Sequence, residues 1–217
     1  DSPNLWYKTE FRSRGAQFSG DGKLVLTTEA DRQTRMQRVW RRDLSKIGES
    51  GELVSERSMQ DAYGDPGRPV AEKTLDGRSV LRALDGKLFL SGSGASPKGN
   101  RPFLDSWVVE TGEKERLFES AEGRYETFFG FVGPSAKHYI VRSESRKEPP
   151  QLVYVDAEAG TRRVLHTFED PSAQFTKLVQ KRLLRYERED GVPMNGTLYL
   201  PPSYKEGDKL PCLLWAY

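Results

Sequence analysis

Cys212 is the only residue of the chain with an intrinsically strong nucleophile, and it is the single cysteine among 217 residues. It lies between Pro211 and the apolar run Leu213-Leu214-Trp215, with no cationic neighbour in sequence that would lower the pKa of a thiol. We therefore predict a buried structural thiol, and one cysteine cannot form an internal disulfide. No clustered set of His, Cys and Asp residues and no glycine loop opening a helix is found, so we expect neither a metal nor a cofactor.

The charged residues could in principle bind an anionic partner. The chain has 34 Lys and Arg against 32 Asp and Glu, a net charge of +2, with both signs interspersed. The basic cluster Arg35–Arg42 is followed at once by acids at Asp43, Glu49 and Glu52, whereas a nucleic-acid binder concentrates positive charge on one face. We therefore expect no nucleic-acid partner. No run of about eighteen apolar residues occurs, so we also expect no membrane span.

The elements that carry these residues are short β-prone runs separated by Gly, Asp, Pro and Ser turns. Three units recur, each opening on a hairpin whose second strand begins near a lysine. The lysines are 64 and 50 residues apart (Lys23, Lys87, Lys137). The glycines that turn from the third strand to the fourth are 61 and 48 residues apart (Gly51, Gly112, Gly160). Two independent markers give nearly the same spacings, as a structural repeat with variable loops does.

Four strands repeated every fifty to sixty residues are typical of β-propeller blades. The first strands are predicted at Ala16–Phe18, Ser79–Leu81 and Phe128–Phe131. The third strands are predicted at Val39–Arg41, Trp107–Val109 and Leu152–Val155, and the fourth at Leu53–Ser55, Arg116–Phe118 and Arg163–Leu165. A β-sandwich is the alternative, but it would show no internal repeat. Since three blades do not close a ring, we expect further blades before Asp1.

After Asp170-Pro171 the pattern changes. Residues 172–183 show no strong strand signal and are predicted to be a linker. Alternating residues on both sides of Asp190-Gly191 then predict a hairpin that ends at Pro201-Pro202. The apolar run Pro211–Tyr217 does not alternate, which is typical of a strand covered on both faces of an α/β sheet. We therefore predict propeller blades over 1–171, a linker over 172–183 and the first strands of an α/β domain over 184–217.

This last region resembles a known family. The motifs Arg185-Tyr186-x-x-x-Asp190-Gly191, Leu198–Tyr204 and Leu210–Tyr217 resemble the junction between propeller and hydrolase in the prolyl oligopeptidase family of serine peptidases. Over about the last forty residues, the amino-acid sequence is most similar to the glutamyl endopeptidase branch. The resemblance implies a mainly β chain, in which a partial propeller of about three four-stranded blades precedes the first strands of an α/β-hydrolase domain.

The family uses a Ser-Asp-His triad with the serine on a G-x-S-x-G turn, which exposes Oγ beside backbone N–H donors. No such motif occurs here; Gly92–Ser96 has the right residue types in a different order. The only histidines, His138 and His166, fall in blade strands away from any such turn, and we expect both to be structural. The resemblance therefore implies that nucleophile, Asp and His all lie beyond Tyr217.

One functional residue carries over by the resemblance. In the family, the strand that corresponds to Pro211–Tyr217 ends in a tyrosine whose hydroxyl helps to form the oxyanion hole. By that match Tyr217 is the candidate catalytic residue, since a phenolic O–H aimed at a developing oxyanion stabilises the transition state. The alternative is that Tyr217 only ends a core strand.

The resemblance also implies a role for the propeller and a binding partner. It restricts entry to short or unstructured peptides, so a peptide substrate is the expected partner, and the oligomeric state is left open. Cleavage after Glu needs a cation for the substrate carboxylate, and Arg101, Arg142 and Arg146 lie in or beside blade loops, although the sequence does not single out one. The alternatives are a non-enzymatic binding propeller and an esterase with an appended propeller. For the compartment we favour the periplasm over the cytoplasm.

Overall fold

The computed structural model describes residues 5–46, 48–145, 148–170 and 179–215. All regular secondary structure in these residues is β-strand, in two units, Asp1–Phe168 and Glu169–Tyr217. The strands are β1 Arg12–Phe18, β2 Leu24–Ala30, β3 Met36–Asp43, β4 Glu52–Ser58, β5 Arg68–Pro69, β6 Ala71–Lys73, β7 Ser79–Leu81, β8 Ala83–Leu84, β9 Lys87–Gly92, β10 Phe103–Trp107, β11 Lys114–Glu119, β12 Arg124–Phe131, β13 His138–Ser145, β14 Gln151–Asp156, β15 Thr161–Thr167, β16 Gln180–Glu187 and β17 Pro193–Leu200.

The first sheet is an antiparallel meander in the order β1-β2-β3-β4. Its opening turn follows from local side-chain chemistry. The Ser19 hydroxyl donates to Oδ1 of Asp21 at 2.6 Å, and the backbone N–H of Lys23 donates to the same oxygen at 3.1 Å. These two hydrogen bonds, that of Ser19 first, lower the pKa of Asp21. Gly22 completes the turn with φ +69°, which favours glycine. The predicted hairpin is confirmed.

The third sheet repeats the meander in the order β12-β13-β14-β15. Side chains alternate between faces along β13, so Tyr139, Val141 and Ser143 are buried while the residues between them are only partly covered. Burial raises the pKa of Tyr139. Val153 and Val155 continue the same buried face on β14. This sheet carries all four of its predicted strands.

The middle sheet departs from the prediction. Strands β9, β10 and β11 pair in order, but β9 is bordered on its other side by the two-residue strands β5 and β8. Ser79–Leu81 was predicted to be the first strand of this blade. It pairs instead with β6 in a separate two-stranded ribbon. Pro69 offers no backbone N–H to a longer ladder, and the polar stretch from Thr74 to Arg78 turns the chain back.

The third strand of the middle sheet is also shifted. It spans Phe103–Trp107 rather than Trp107–Val109. Beyond Trp107 the chain already turns, because the N–H of Val108 donates to Glu113 O and that of Gly112 donates to Val108 O, each at 2.9 Å. The apolar pair Val108-Val109 therefore marked the end of the strand and not its centre.

The alternation along β9 explains why the sheets stack. Phe89 joins a buried cluster with Tyr139 and Val141 of the third sheet. Its neighbours Leu88 and Leu90 point to the opposite face and join a second cluster with Leu26 of the first sheet and Trp107. The middle sheet thus buries both of its faces, one against each neighbour. Sheets stacked face to face in this way are the arrangement expected of propeller blades.

The second unit contains the antiparallel hairpin of β16 and β17. β17 alternates from Pro193 to a buried Leu200, and the hairpin ends before Pro201, as predicted. β16 begins at Gln180, so strand occupies positions 180–183 that the sequence assigned to the linker. Residues 172–178 of the predicted linker, and Pro171 before it, lie outside the described residues.

Residues 211–215 differ from expectation. They form no strand, and Leu213, Leu214 and Trp215 are 92%, 87% and 82% exposed. Cys212 is likewise exposed, so the prediction of a buried thiol is wrong. An apolar strand is buried only where neighbouring strands and helices cover it, and the described residues place none against this segment.

Candidate functional site

Tyr217, the candidate oxyanion-hole residue, lies outside the described residues, together with Ala216. The five residues before them are exposed and in no strand, so the side chains 211–215 can be reached by solvent. The assignment of Tyr217 therefore rests on the resemblance of its motif.

The two histidines lie on different strands of the third sheet. His138 begins β13, opposite Asp156 of β14, and its Nδ1 lies 3.0 Å from the hydroxyl of Tyr154 and 3.8 Å from Oδ1 of Asp156. His166, near the end of β15, packs edge-on against Phe168 with ring centroids 4.7 Å apart. No serine or cysteine contact is recorded for either ring within the described residues, so their predicted structural roles stay predictions.

The loop arginines proposed to hold a substrate carboxylate are engaged by the protein itself. Arg101 donates to Ser120 O at 3.1 Å and pairs with Glu119 at 2.9 Å. Arg142 pairs with Glu144 at 3.0 Å. The third candidate, Arg146, lies outside the described residues. Neither Arg101 nor Arg142 is therefore the unpaired cation that a carboxylate-binding site calls for.

Two cavities of similar size adjoin the first sheet. One, which we call the paired pocket, has a volume of about 550 Å³ and is bordered by the β3–β4 loop. Four cationic and four acidic residues line it: Lys23, Arg41, Arg42, Lys46, Asp43, Glu49, Glu52 and Glu110. Arg41 bridges two of the acids, Glu52 at 2.6 Å and Glu110 at 2.9 Å. The charges that line the paired pocket therefore largely neutralise one another.

The other cavity, which we call the seam pocket, has a volume of about 540 Å³ and lies between the first and middle sheets. Its lining includes four cationic side chains, Arg14, Arg57, Arg68 and Lys114, and none of the described residues that line it is acidic. Leu26, Leu90 and Trp107, all buried, form its apolar base. Its residues come from eight strands of two blades.

Sequence reasoning did not find the seam pocket. Arg14, Arg68 and Lys114 are more than forty residues apart in sequence and belong to no motif. Only the face-to-face stacking of two sheets brings them to one cavity. The register of Arg68 depends on β5, the strand that the repeat pattern did not predict.

Two curated plant proteins, both named "Probable glutamyl endopeptidase, chloroplastic", match the whole chain. The protein of Oryza sativa subsp. japonica is 34% identical over 233 residues, and that of Arabidopsis thaliana is 32% identical over 238 residues. The match covers 100% of this chain but only 25% and 24% of the two relatives, so the chain spans about a quarter of their length. No family model matches the chain.

Among solved structures, oligopeptidase B from Trypanosoma brucei superposes on 91% of this chain and 33% of its own, with a TM-score of 0.51 and 15% identity. At that identity the likeness shows the fold alone. Together with the stacked antiparallel sheets, it confirms the mainly β, partial-propeller architecture.

The comparisons and the fold also bear on the remaining expectations. The chloroplastic designation of the two plant relatives does not fit the periplasmic location favoured from sequence. Among the described residues no helix has the length and hydropathy needed to span a bilayer. In the same residues no group of three or more His, Cys, Asp and Glu side chains is arranged to hold a metal ion.

Proposed function

We propose that this chain belongs to the prolyl oligopeptidase family of serine peptidases and contributes propeller blades and the interdomain junction to an enzyme that hydrolyses peptide bonds. The observation that carries the proposal is the similarity to two proteins named glutamyl endopeptidase along the entire chain, at 34% and 32% identity. The catalytic serine, aspartate and histidine are then supplied beyond residue 217, since these residues contain no G-x-S-x-G turn.

In this proposal residues 1–171 are propeller blades, 172–183 connect them to the next domain, and 184–217 are the first strands of an α/β-hydrolase domain. The separation of the chain into two compact units, with the boundary between Phe168 and Glu169, supports a domain junction in this region. The alternating hairpin of β16 and β17, which is a two-stranded sheet of its own among the described residues, supports it as well.

The propeller's role in the proposed enzyme is selection of the substrate. Blades that stack around an axis leave a passage too narrow for a folded protein, so short or unstructured peptides are the substrates we propose. The names of the plant relatives further suggest cleavage after glutamate. A cation must then meet the substrate carboxylate, most effectively an arginine that is not already paired.

A peptide panel on the full-length protein tests the proposal. Matched chromogenic peptides would carry Glu, Gln, Pro, Ala or Lys before the scissile bond, with an ester analogue of the Glu peptide beside them. We expect the Glu peptide to be cleaved fastest and a folded protein of the same composition to be spared. If only the ester were hydrolysed, the enzyme would be an esterase; if nothing were, the peptidase proposal would fail.

The role of Tyr217 is tested by Tyr217→Phe in the same protein. Loss of one oxyanion-hole donor lowers kcat by about 10²–10³-fold with little change in KM, because the donor acts on the transition state. A Tyr204→Phe variant, altered in the loop after the β16–β17 hairpin, serves as the control. A Tyr217→Phe enzyme with unchanged kcat would show that Tyr217 only ends a strand.

A further inference from the structure

We infer that the seam pocket binds an acidic peptide segment, with its Glu or Asp carboxylates held by Arg14, Arg68 and Lys114. The chain as a whole is nearly balanced, at 34 basic against 32 acidic residues, whereas this cavity gathers four cations and, among its described lining residues, no acid. A local imbalance of this kind attracts anions and raises their concentration at the cavity mouth. The inference does not depend on peptidase activity.

Three of the four cations are available to a ligand. Arg57 is committed to its own loop: it pairs with Asp65 at 3.0 Å and donates to the carbonyl oxygens of Ser58 and Asp61 at 3.0 and 3.2 Å. No ion pair or side-chain hydrogen bond joins Arg14, Arg68 or Lys114 to another described residue, and all three are exposed. Their guanidinium and ammonium N–H groups are therefore available to solvent or to a ligand.

The apolar part of the lining favours a peptide over a small inorganic anion. Four half-buried apolar residues of the lining leave carbon within reach of a ligand, above the nearly buried base of Leu26, Leu90 and Trp107: Val39, Val54, Pro66 and Pro69. A phosphate or chloride ion would meet the cations and leave this apolar surface uncovered. A peptide segment brings carboxylates together with aliphatic side-chain carbon, and 540 Å³ is a volume typical of a ligand site. The carboxylates then contact the cations, and the aliphatic carbon covers the apolar lining.

The wall that carries Arg68 is held in place before any ligand arrives. Arg68 pairs across the ladder with Ser91 of β9, and Pro69 pairs with Leu90. The preceding Gly67 adopts φ +84°, and its N–H donates to Asp65 at 3.0 Å, the carboxylate that also pairs with Arg57. A cation on a fixed wall loses less conformational entropy on binding than one on a free loop. The cavity is in that sense preorganised.

Binding of labelled peptides to the full-length protein tests this. The protein would first be treated with a serine-directed fluorophosphonate, so that no probe is cleaved. The probe is a fluorescein-labelled octapeptide of alternating Glu and Gly, and its match has Gln in place of every Glu. By fluorescence anisotropy we expect the Glu peptide to bind at least tenfold more tightly. Equal affinity of the two peptides would overturn the inference.

Variants locate the site. We expect Arg14→Gln, Arg68→Gln and Lys114→Gln each to weaken the Glu peptide about two- to fivefold, and the triple variant at least tenfold. Lys46→Gln, which removes a cation from the paired pocket, is the matched control and should leave affinity unchanged. Circular dichroism checks that the variants fold.

Two results would contradict the inference. One is a triple variant that folds and still binds the Glu peptide with the parent affinity, which would place the peptide elsewhere on the protein. The other is an eight-nucleotide oligothymidylate that competes as strongly as the unlabelled Glu peptide, which would mark a general polyanion surface. A protein without peptidase activity that still distinguished Glu from Gln peptides would support the inference while the proposed function failed.

Discussion

The paired pocket and the seam pocket adjoin the same sheet and differ by only about 10 Å³ in volume, yet their electrostatics are opposite. In the paired pocket, four acids face four cations, and Arg41 alone is held by carboxylates from its own blade and from the next. In the seam pocket, three cations have no acidic partner among the described residues. Cavity size therefore does not separate a structural crevice from a binding site here; the pairing of its charges does.

The difference has a structural origin. Glu52 directly opposes Arg41 in the β3–β4 register, so this pair follows from a cross-strand position. In the seam pocket the three cations without an acidic partner come from β1, β5 and β11, which are not neighbours in any sheet. Their proximity is a product of blade stacking, and the acids of the strands that meet there, such as Glu56 of β4 and Glu115 of β11, do not line the cavity.

The largest effect is expected from removing the apolar base of the seam pocket. Trp107 also belongs to the cluster between the first two sheets, so Trp107→Ala should lower the free energy of unfolding by about 3–5 kcal/mol. Thermal unfolding followed by circular dichroism measures the loss. Trp215→Ala removes an identical side chain that is 82% exposed and should change stability by about 0.5 kcal/mol or less. Equal effects of the two substitutions would mean that Trp107 is not part of an interblade core.

A smaller loss is expected from disturbing the wall of the same pocket. At Gly67, φ is +84°, and an added Cβ would lie 2.7 Å from Ser91 O, a backbone atom that cannot rotate away. Gly67→Ala should therefore cost about 2 kcal/mol and weaken the Glu peptide. Gly77 has nearly the same φ, +82°, with nothing within 4 Å, so Gly77→Ala isolates the backbone cost, about 1 kcal/mol. If both variants lost equal stability, the contact with Ser91 would carry no weight.

Much of this fold could be predicted from sequence because two blades follow local rules. The hairpin at Ser19–Leu24 is closed by hydrogen bonds between residues at most five positions apart, and β13 alternates as a half-buried strand must. The first strand of the middle blade could not be predicted, because β5 consists of Arg68 and Pro69 alone, too short for a periodicity. It is recognisable only by its long-range pairing with β9.

The candidate sites divide in the same way. A motif of consecutive residues led to Tyr217, and neighbouring positions can carry such a resemblance. The cations of the seam pocket share no motif, and their grouping depends on how two sheets pack. The burial of Cys212 was predicted from its apolar neighbours, but burial depends on what covers a segment, and the described residues place nothing there. Local composition therefore predicts strands better than it predicts their surroundings.

In the paired pocket, loss of the bridging cation should cost little. Arg41 is 27% exposed and its partners Glu52 and Glu110 more so, so Arg41→Gln should lower the free energy of unfolding by up to about 1 kcal/mol. Arg78→Gln, which removes a more exposed pair with Asp76, should lower it by less. Urea unfolding compares the two variants. A loss of several kcal/mol at Arg41 would reveal a buried pair and make the paired pocket a stability element of the blade seam.

The smallest effect concerns protons, and it separates the pockets by pH. The Ser45 hydroxyl, then the Ser45 N–H, then Lys46 and Arg41 hold the pKa of Asp43 in the paired pocket below its ordinary value. A lowered carboxyl pKa stabilises the fold above the unfolded-state pKa, and that stabilisation is lost as the pH falls through the folded-state pKa. The paired pocket thus keeps this negative charge into mild acid, whereas the described lining of the seam pocket has no carboxylate to titrate.

Ser45→Ala removes the largest of these causes, so the pKa of Asp43 should rise towards its ordinary value while the backbone hydrogen bond keeps part of the shift. Titration of the Asp43 carboxyl carbon by NMR measures it, and Ser50→Ala, in the same cavity, is the control. Affinity of the seam pocket for the Glu peptide should not respond to Ser45→Ala, because Asp43 does not line that cavity. If Ser45→Ala did change the affinity for the Glu peptide, the charge of Asp43 would act on the seam pocket as well. The two pockets would then not be electrostatically separate.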